Sequence, residues 1–502
     1  MSGSACRLAA SAGIVAFCLW RLAVSSVPAM SPRAYSYIAD WRGIAAGLGV
    51  GKAALLCADA SDLTPVDRSR LAALSWELGR NVPRVVGNVF EIGDVDCLAT
   101  SAYMSPVDRR RLEESGMSVA AANGSACAWR RATAQGTMPA KEVPSAFREA
   151  ASLAVVVSLL ALCWLLGRGF WRGGASPSAT AFAAAVFVTM GVVAVSHPLT
   201  PPNGLGVYGG KAKLVFECGG VPEGFWRLPL YSHFQPAYPP GLTIVSLLHF
   251  ALSGGCGDRL VQLVVPFALA LLLLEMSWPA GGWRAALPAA MFAVSPVGVR
   301  LSSGFYAEPF AALSLLVGWN AMRKGRVFSG AVAMGLTALF RPEGGVVALV
   351  FAAAYMLSAP QAHRSWKGVA LLFAVAAVWP AFCLCVGCRL PDWDLSRRPD
   401  GPRIVYAAWC AAKALAMQAL PAAALAVLLS RRSRARRSPM LSAAVLAAAT
   451  LMALAVVACG FHDSPYSSWM VRSTIPRVVW CLSVIPLAEI LRHGAGARHD
   501  AP

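Results

Sequence analysis

The sequence predicts an all-α polytopic membrane protein of about twelve transmembrane helices, with a small extracytoplasmic α/β domain near the N-terminus. Three observations carry that expectation. Of 502 residues, 57% are hydrophobic and only 14% charged, and the mean hydropathy is +0.57, outside the range of soluble domains. Apolar runs long enough to cross a bilayer, or nearly so, recur along the chain. One segment, 31–147, breaks the pattern with polar, charged, soluble-type sequence. The 44 Lys+Arg against 25 Asp+Glu give a formal charge of +19. The clustered arginines sit between apolar runs rather than along a soluble face, so the surplus reads as a topology signal and not as nucleic-acid affinity. A disordered chain, a disulfide mini-protein and a soluble cytosolic enzyme are excluded.

Residues 1–30 read as an N-terminal anchor. The small residues near Ala29 would also suit a cleaved signal peptide, but Arg21 and the length of the run 8–29 favour the anchor. Further apolar runs lie near 150–167, 177–197, 241–253, 260–277, 285–299, 306–321, 328–340, 345–359, 368–388, 404–429, 440–460 and 475–491. The run from Arg431 to Arg437 is the strongest inside marker, supported by Arg323, Lys324 and Arg326, and by Arg168 and Arg172. Counting from these places 31–147, 198–240, the Arg341 region, 389–403 and 461–474 outside. The runs 260–277 and 285–299 cannot both be full crossings if the Arg323 loop is inside, so one is expected to be short or re-entrant. Both termini then lie inside, and 148–495 forms the membrane module.

Within 31–147, two stretches echo each other: Thr64-Pro-Val-Asp-Arg-Ser-Arg-Leu71 and Ser105-Pro-Val-Asp-Arg-Arg-Arg-Leu112. Each has a hydroxyl N-cap, Pro at the first helical position and Asp three residues after the cap. Each follows a short apolar stretch, Ala53–Cys57 or Cys97–Thr100, which gives a strand–loop–helix unit twice. Gly47-Leu-Gly-Val-Gly-Lys52 superficially suggests a phosphate loop, but Ala46 and Ala53 replace the required Gly and Ser/Thr, and the helix–glycine–strand order is reversed. A helix C-cap is the better reading. Cys57, Cys97 and Cys127 would lie in an oxidising compartment, which allows one bridge and leaves one thiol over. Farther on, Cys383, Cys385 and Cys388 invite a metal reading; on a continuous helix Cys385 and Cys388 share a face and Cys383 points away, so they read as small packing residues.

The loop 198–240 carries the densest chemistry. It contains Asn203, Tyr208, Lys211-Ala-Lys213, His233 and Tyr238-Pro-Pro-Gly241 immediately before an apolar run. Such a loop can hold an anionic headgroup at the interface while an apolar chain lies in the bilayer; by composition alone it is an ordinary loop with interfacial aromatics. Tyr306-Ala-Glu308-Pro309 opens a helix and Arg341-Pro-Glu343-Gly344 joins two, both on the outer side. An acid near a membrane segment is costly and usually has a task. The bland alternatives are a dipole-compensating cap at Glu308 and a structural ion pair at Glu343.

These residues, with Ser473-Thr-Ile-Pro-Arg477, follow one another as in the GT-C superfamily of integral-membrane glycosyltransferases, which the chain resembles over about 177–491. The likeness is to the bacterial branch related to protein mannosyltransferases and lipid A aminoarabinose transferases. It implies an extracytoplasmic active site in a multi-pass protein of the bacterial inner or plasma membrane. It also implies sugar transfer from a polyprenyl-phosphate-linked donor to a lipid, glycan or protein acceptor. Carried over by position, Lys211, Lys213, Arg341 and Arg477 would hold the donor phosphate, His233, Tyr238 and Tyr306 would line the site, and Glu308 and Glu343 would orient sugar or acceptor hydroxyls.

One departure matters. The family places an Asp about eight residues before the Lys-Ala-Lys element, and this chain has Asn203 there with no acid between 177 and 216. An amide positions a hydroxyl but cannot take its proton. The catalytic set that the resemblance implies is Asn203, Glu308 and Glu343; either another acid is the base, with Glu308 first and Glu217 second, or the acceptor needs little deprotonation, or the activity has been lost. No cofactor is firmly implied; no carboxylate cluster has hard-metal spacing, and a divalent metal is left open. The expected partners are membrane lipid, the polyprenyl-phosphate sugar and an acceptor of unspecified kind, with no nucleic acid. Two rivals stand beside the enzyme: an inactive polyprenyl-phosphate-binding scaffold, and a transporter or flippase for a lipid-linked sugar.

Overall fold

The computed structural model describes residues 53–56, 84–86, 97–101, 106–123, 126–131, 177–196, 203–222, 225–226, 234–253, 261–277, 283–388, 400–429, 438–461 and 467–494. The runs 8–29 and 150–167, the Gly47–Lys52 stretch and the Thr64 echo lie outside the described residues. The described residues are mostly helical.

In the N-terminal part, five strands form one sheet: β1 (Ala53–Leu56), β2 (Arg84–Val86), β3 (Cys97–Ser101), β4 (Met117–Asn123) and β5 (Ala126–Arg131), in the order β2-β1-β3-β5-β4. β1 pairs in parallel with β2 and β3, β5 runs antiparallel to β3, and β4–β5 is a hairpin. Helix α1 (Pro106–Glu114) begins at the proline that the capping pattern marks as the first helical residue. Trp129 is buried and donates through its indole nitrogen to Thr100 Oγ1 at 3.0 Å. Cys127 is a buried free thiol opposite Thr100.

Every apolar run that falls on described residues is helical. In order these are α2 (Pro177–Ser196), α3 (Gly209–Glu217), α4 (Gly241–Ser253), α5 (Val264–Ser277), α6 (Trp283–Ala293), α7 (Pro296–Ser303), α8 (Glu308–Arg323), α9 (Val327–Gly335), α10 (Gly344–Ser358), α11 (Trp366–Val386), α12 (Gly401–Ala414), α13 (Leu420–Leu429), α14 (Pro439–Ala458) and α15 (Ser467–Gly494). A 3₁₀ turn, Leu336–Leu339, follows α9, and a π turn, Leu415–Ala419, joins α12 to α13. Among the described residues, five spans are long and apolar enough to cross a membrane: Ser178–Val195, Trp366–Val386, Gly401–Val427, Pro439–Ala458 and Val471–His493. A sixth is available if α6 and α7, bent by 60°, count as one. The other apolar helices are shorter. Outward-facing apolar side chains on these spans, such as Leu384 (71% exposed) and Trp409 (65%), form surface that lipid would cover.

The bend falls in the 285–299 run. Ser295 accepts from the Gly298 amide at 3.3 Å and Pro296 occupies the first turn of α7, so a new helix start is written inside an apolar run. The run 404–429 is likewise interrupted, by the π turn. The cysteine geometry is corrected as well. The helix ends at Val386, and Gly387 at φ 68° turns the chain so that Cys388 packs back on Cys383, while Cys385 is exposed. Continuous-helix spacing therefore gave the wrong neighbours.

The core sits between α8 and α15. On one side Trp480 stacks on Phe292 with ring centroids 4.9 Å apart, among residues of α2, α5, α6 and α13. On the other, Trp319 packs edge-on to Phe351 and Tyr355, among α9, α10 and α14. α8 and α15 run parallel, because Glu308 meets Arg477 at one end and Trp319 meets Glu489 at the other.

Candidate functional site

The site forms where the N-terminus of α8, the Arg341 turn, α7 and the middle of α15 converge. Glu308 is the first residue of α8, followed by Pro309, which lacks the amide that a first turn cannot use. The carboxylate is buried. Its Oε1 accepts from Arg341 Nη1 at 2.8 Å and from Arg477 Nη1 at 2.9 Å. Its Oε2 is buried and has no hydrogen-bond partner among the described residues.

Arg341 reaches Glu308 and also Glu343, donating to Glu343 Oε1 from Nε at 2.8 Å and from Nη2. Glu343 is half-buried and stands at the N-cap position of α10, where its side chain makes no capping hydrogen bond and is turned to Arg341 instead. Arg477 is fixed on its own helix, with Nε donating to the Ser473 carbonyl at 2.9 Å and Nη2 to Thr474 Oγ1 at 3.2 Å. Its guanidinium lies 4.3 Å from the centroid of the Tyr306 ring, a cation–π stack. Arg300 on α7 donates to Ser473 Oγ at 3.1 Å. The cluster thus gathers three guanidiniums against two carboxylates.

Two tyrosines close it. Tyr208 and Tyr238 meet edge-on with centroids 6.1 Å apart. Burial, joined by the neighbouring carboxylates, raises both phenols above their ordinary range despite Arg341 and Arg477, so both remain hydrogen-bond donors. Burial opposes the charge of Arg341, but Glu343 and Glu308 more than offset it and its pKa lies well above the usual value. Gly241 lets the Tyr238 segment approach, since a Cβ there would lie 2.5 Å from the Leu339 carbonyl and 2.6 Å from the Phe340 ring.

Two non-glycine residues take positive φ among the described residues, Gln235 (46°) and Phe305 (55°). One precedes Tyr238 by three residues and the other directly precedes Tyr306. Such strain persists only where surrounding structure over-determines it, and it gathers at functional sites.

Of the residues expected from sequence, Glu308, Glu343, Arg341, Arg477, Tyr238 and Tyr306 come together here. Lys211 instead is buried behind the loop, its Nζ donating to the carbonyls of Gln235 and Tyr238 at 3.2 Å each. Lys213 pairs with Glu217 across one helical turn at 3.8 Å. Asn203 opens the π turn Asn203–Val207 that leads into Tyr208; its side chain and the whole of His233 lie outside the described residues. Arg300 and Tyr208 were missed as site residues. The available signal was a cation six residues before Tyr306, at the close of a run already broken by Ser295-Pro296. No group of three or more metal-ligating side chains occurs among the described residues.

Burial pushes the Lys211 amine down to about 7 from 10.5. Below that value folded and unfolded chains both hold the proton, and burying the charge costs its full amount. Between about 7 and 10.5 the unfolded chain binds more protons, so stability rises with pH. The thermal midpoint of the wild type should therefore climb from pH 7 to pH 9 relative to Lys211→Met. Parallel curves for the two proteins would show that the amine is not buried as described.

No family model matches the chain, and no curated protein or solved structure matches it.

Proposed function

We propose that the chain is a GT-C-like membrane glycosyltransferase that moves a sugar from a polyprenyl-phosphate-linked donor to a lipid, glycan or protein acceptor on the extracytoplasmic side. The observation that carries this reading is the Glu308 carboxylate, with one oxygen held by two arginines and the other buried without a partner among the described residues. Buried polar atoms are normally satisfied, so an orphan oxygen beside surplus cations suits a ligand that brings both a hydroxyl and an anion. A sugar phosphate ester brings both. The twelve crossings, the bacterial inner-membrane location and the outward-facing site belong to the same proposal.

In the proposed step, an acceptor hydroxyl donates to Glu308 Oε2 and its oxygen attacks the anomeric carbon. The proton passes to Glu308, and the electrons of the anomeric C–O bond leave with the polyprenyl phosphate. Arg477, Arg341 and Arg300 stabilise the charge that grows on that leaving group. The two guanidiniums on Oε1 make the carboxylate a weak base, so proton transfer follows bond formation. Glu343 holds Arg341 in place, Tyr208 and Tyr238 donate to sugar or phosphate oxygens, and Lys211 fixes the backbone that carries Tyr238. A transporter would be expected to carry its ionisable groups near the midplane in repeated halves, whereas Glu308, Arg341 and Glu343 stand at helix ends, with Arg477 reaching them from within α15. The scaffold reading rests on Asn203.

The test is turnover of a polyprenyl-phosphate hexose in proteoliposomes by wild type and Asn203→Asp side by side. Release of polyprenyl phosphate by the wild type supports the enzyme. Silence from both with donor still bound replaces it by the scaffold, and activity only in the Asp variant marks a decayed enzyme. Arg341→Ala and Glu343→Gln should each abolish transfer in folded protein, and full activity in both would remove the site assignment.

A further inference from the structure

Behind the loop that carries Tyr238 lies a pair of cysteines that the transfer reading does not use. Helix α11 ends at Val386, and Gly387 takes the left-handed conformation at φ 68°. The Cys388 amide then bonds back to the Cys383 carbonyl at 2.9 Å. This is the helix-ending arrangement in which the residue after the left-handed glycine returns onto the last turn. Here both residues brought together are cysteines. Their side chains hydrogen-bond to each other, and both are buried against Trp379. Cys385, two residues from Cys383, is exposed.

Ala237, between the two residues whose carbonyls Lys211 holds, packs against this pair, and the Lys211 amine is near enough to interact electrostatically with both sulfurs. Its Nζ makes two hydrogen bonds, to the carbonyls of Gln235 and Tyr238. A neutral amine has two N–H groups, so those bonds leave one lone pair. Burial lowers the amine to about 7, so a large fraction carries that lone pair at neutral pH.

We propose that Cys383 and Cys388 are a redox-active dithiol that closes to an intramolecular disulfide across the end of α11, with Lys211 as the base that starts the exchange. The oxidant is a small-molecule or protein disulfide, for which glutathione disulfide is the probe. Cys388 lies outside the helix and is the less buried of the two, so it attacks first. Its thiol proton passes to Lys211, its sulfur bonds one glutathione sulfur, and the S–S bond breaks to release a glutathione thiolate, which takes up a proton. Cys383 then gives up its proton and attacks the Cys388 sulfur of the mixed disulfide, expelling the second glutathione. Two cysteine sulfurs are oxidised and one glutathione disulfide is reduced to two thiols. The geometry favours closure because the turn at Gly387 already holds the two residues side by side. This inference is independent of the glycosyltransferase reading.

The experiment exposes the full-length protein in detergent or native membranes to glutathione disulfide, alkylates before and after reduction, and maps the peptide containing 383–388 by mass spectrometry. The expected product has lost two hydrogens and resists alkylation until reductant is added. Cys385→Ser should leave this unchanged. Equal alkylation of Cys383 and Cys388 with and without oxidant would overturn the proposal, as would a bridge that uses Cys385. Lys211→Met should slow closure about tenfold at neutral pH, with the rate recovering as pH rises and solvent takes over as base. Closure of Lys211→Met at the wild-type rate would remove the lysine from the mechanism.

Discussion

Glu308→Gln is expected to lower transfer by about 10²–10⁴-fold, the usual contribution of a positioned proton acceptor. The substitution keeps an oxygen where Oε1 accepts from Arg341 and Arg477, but it places an amide NH₂ where Oε2 has no partner. A hydroxyl that needs an acceptor there meets a donor. The change also removes the negative charge between two buried guanidiniums, which costs stability; losing a partner from a buried ion pair altogether costs about 3–5 kcal/mol. Glu308→Asp separates the two effects, since it keeps the charge but withdraws the carboxylate by one methylene. Single-turnover transfer and thermal unfolding should be measured on both variants. If Glu308→Gln transfers sugar at the wild-type rate, the orphan oxygen has no part in the chemistry.

The second large effect lies at the other end of the same helices. Glu489 is fully buried on α15, yet both of its oxygens are held. Oε1 accepts from Trp319 Nε1 at 2.8 Å and from Arg492 at 2.8 Å, and Oε2 accepts from Arg323. Asn320 extends the network, donating to Glu275 Oε1 at 2.7 Å and accepting from Arg492 at 2.6 Å. Satisfied in this way, the cluster is a structural tie rather than a site. Glu489→Ala would strand Arg323, Arg492 and the Trp319 indole, at a cost of about 3–5 kcal/mol. The expected readout is a steep loss of thermal stability in detergent, with transfer per folded molecule unchanged. An unaltered melting curve would mean that these charges carry no structural load.

The contrast between Glu308 and Glu489 also marks where sequence reading reached its limit. Both are single acids near apolar runs, and a linear sequence does not say which one has an unpartnered oxygen. Position helped at Glu308, because Tyr306-Ala-Glu308-Pro309 announces a helix start, and the run 241–253 matched α4 from end to end because Pro239-Pro240 and Gly254-Gly255 bracket it. Arg300 escaped because it closes an apolar run like any flanking cation; only the hidden N-cap at Ser295 turns it inward. The π turn at Leu415–Ala419 was overlooked because alanine and leucine dominate the stretch; its marks are Gln418 within the turn and Pro421, without a backbone N–H, just after it. The cysteine pairing failed for one residue, Gly387, whose left-handed φ ends the periodicity on which facing arguments rest.

The two charged clusters have a joint mechanical consequence. Along α15, Arg477 and Glu489 are twelve residues apart, about 18 Å of helix, and on the parallel α8 their partners Glu308 and Trp319 are spaced to match. Sliding one rod past the other by a single turn would pull Arg477 off Glu308 and Trp319 off Glu489 at once. Piston motion between these two helices is therefore opposed at both ends of their contact.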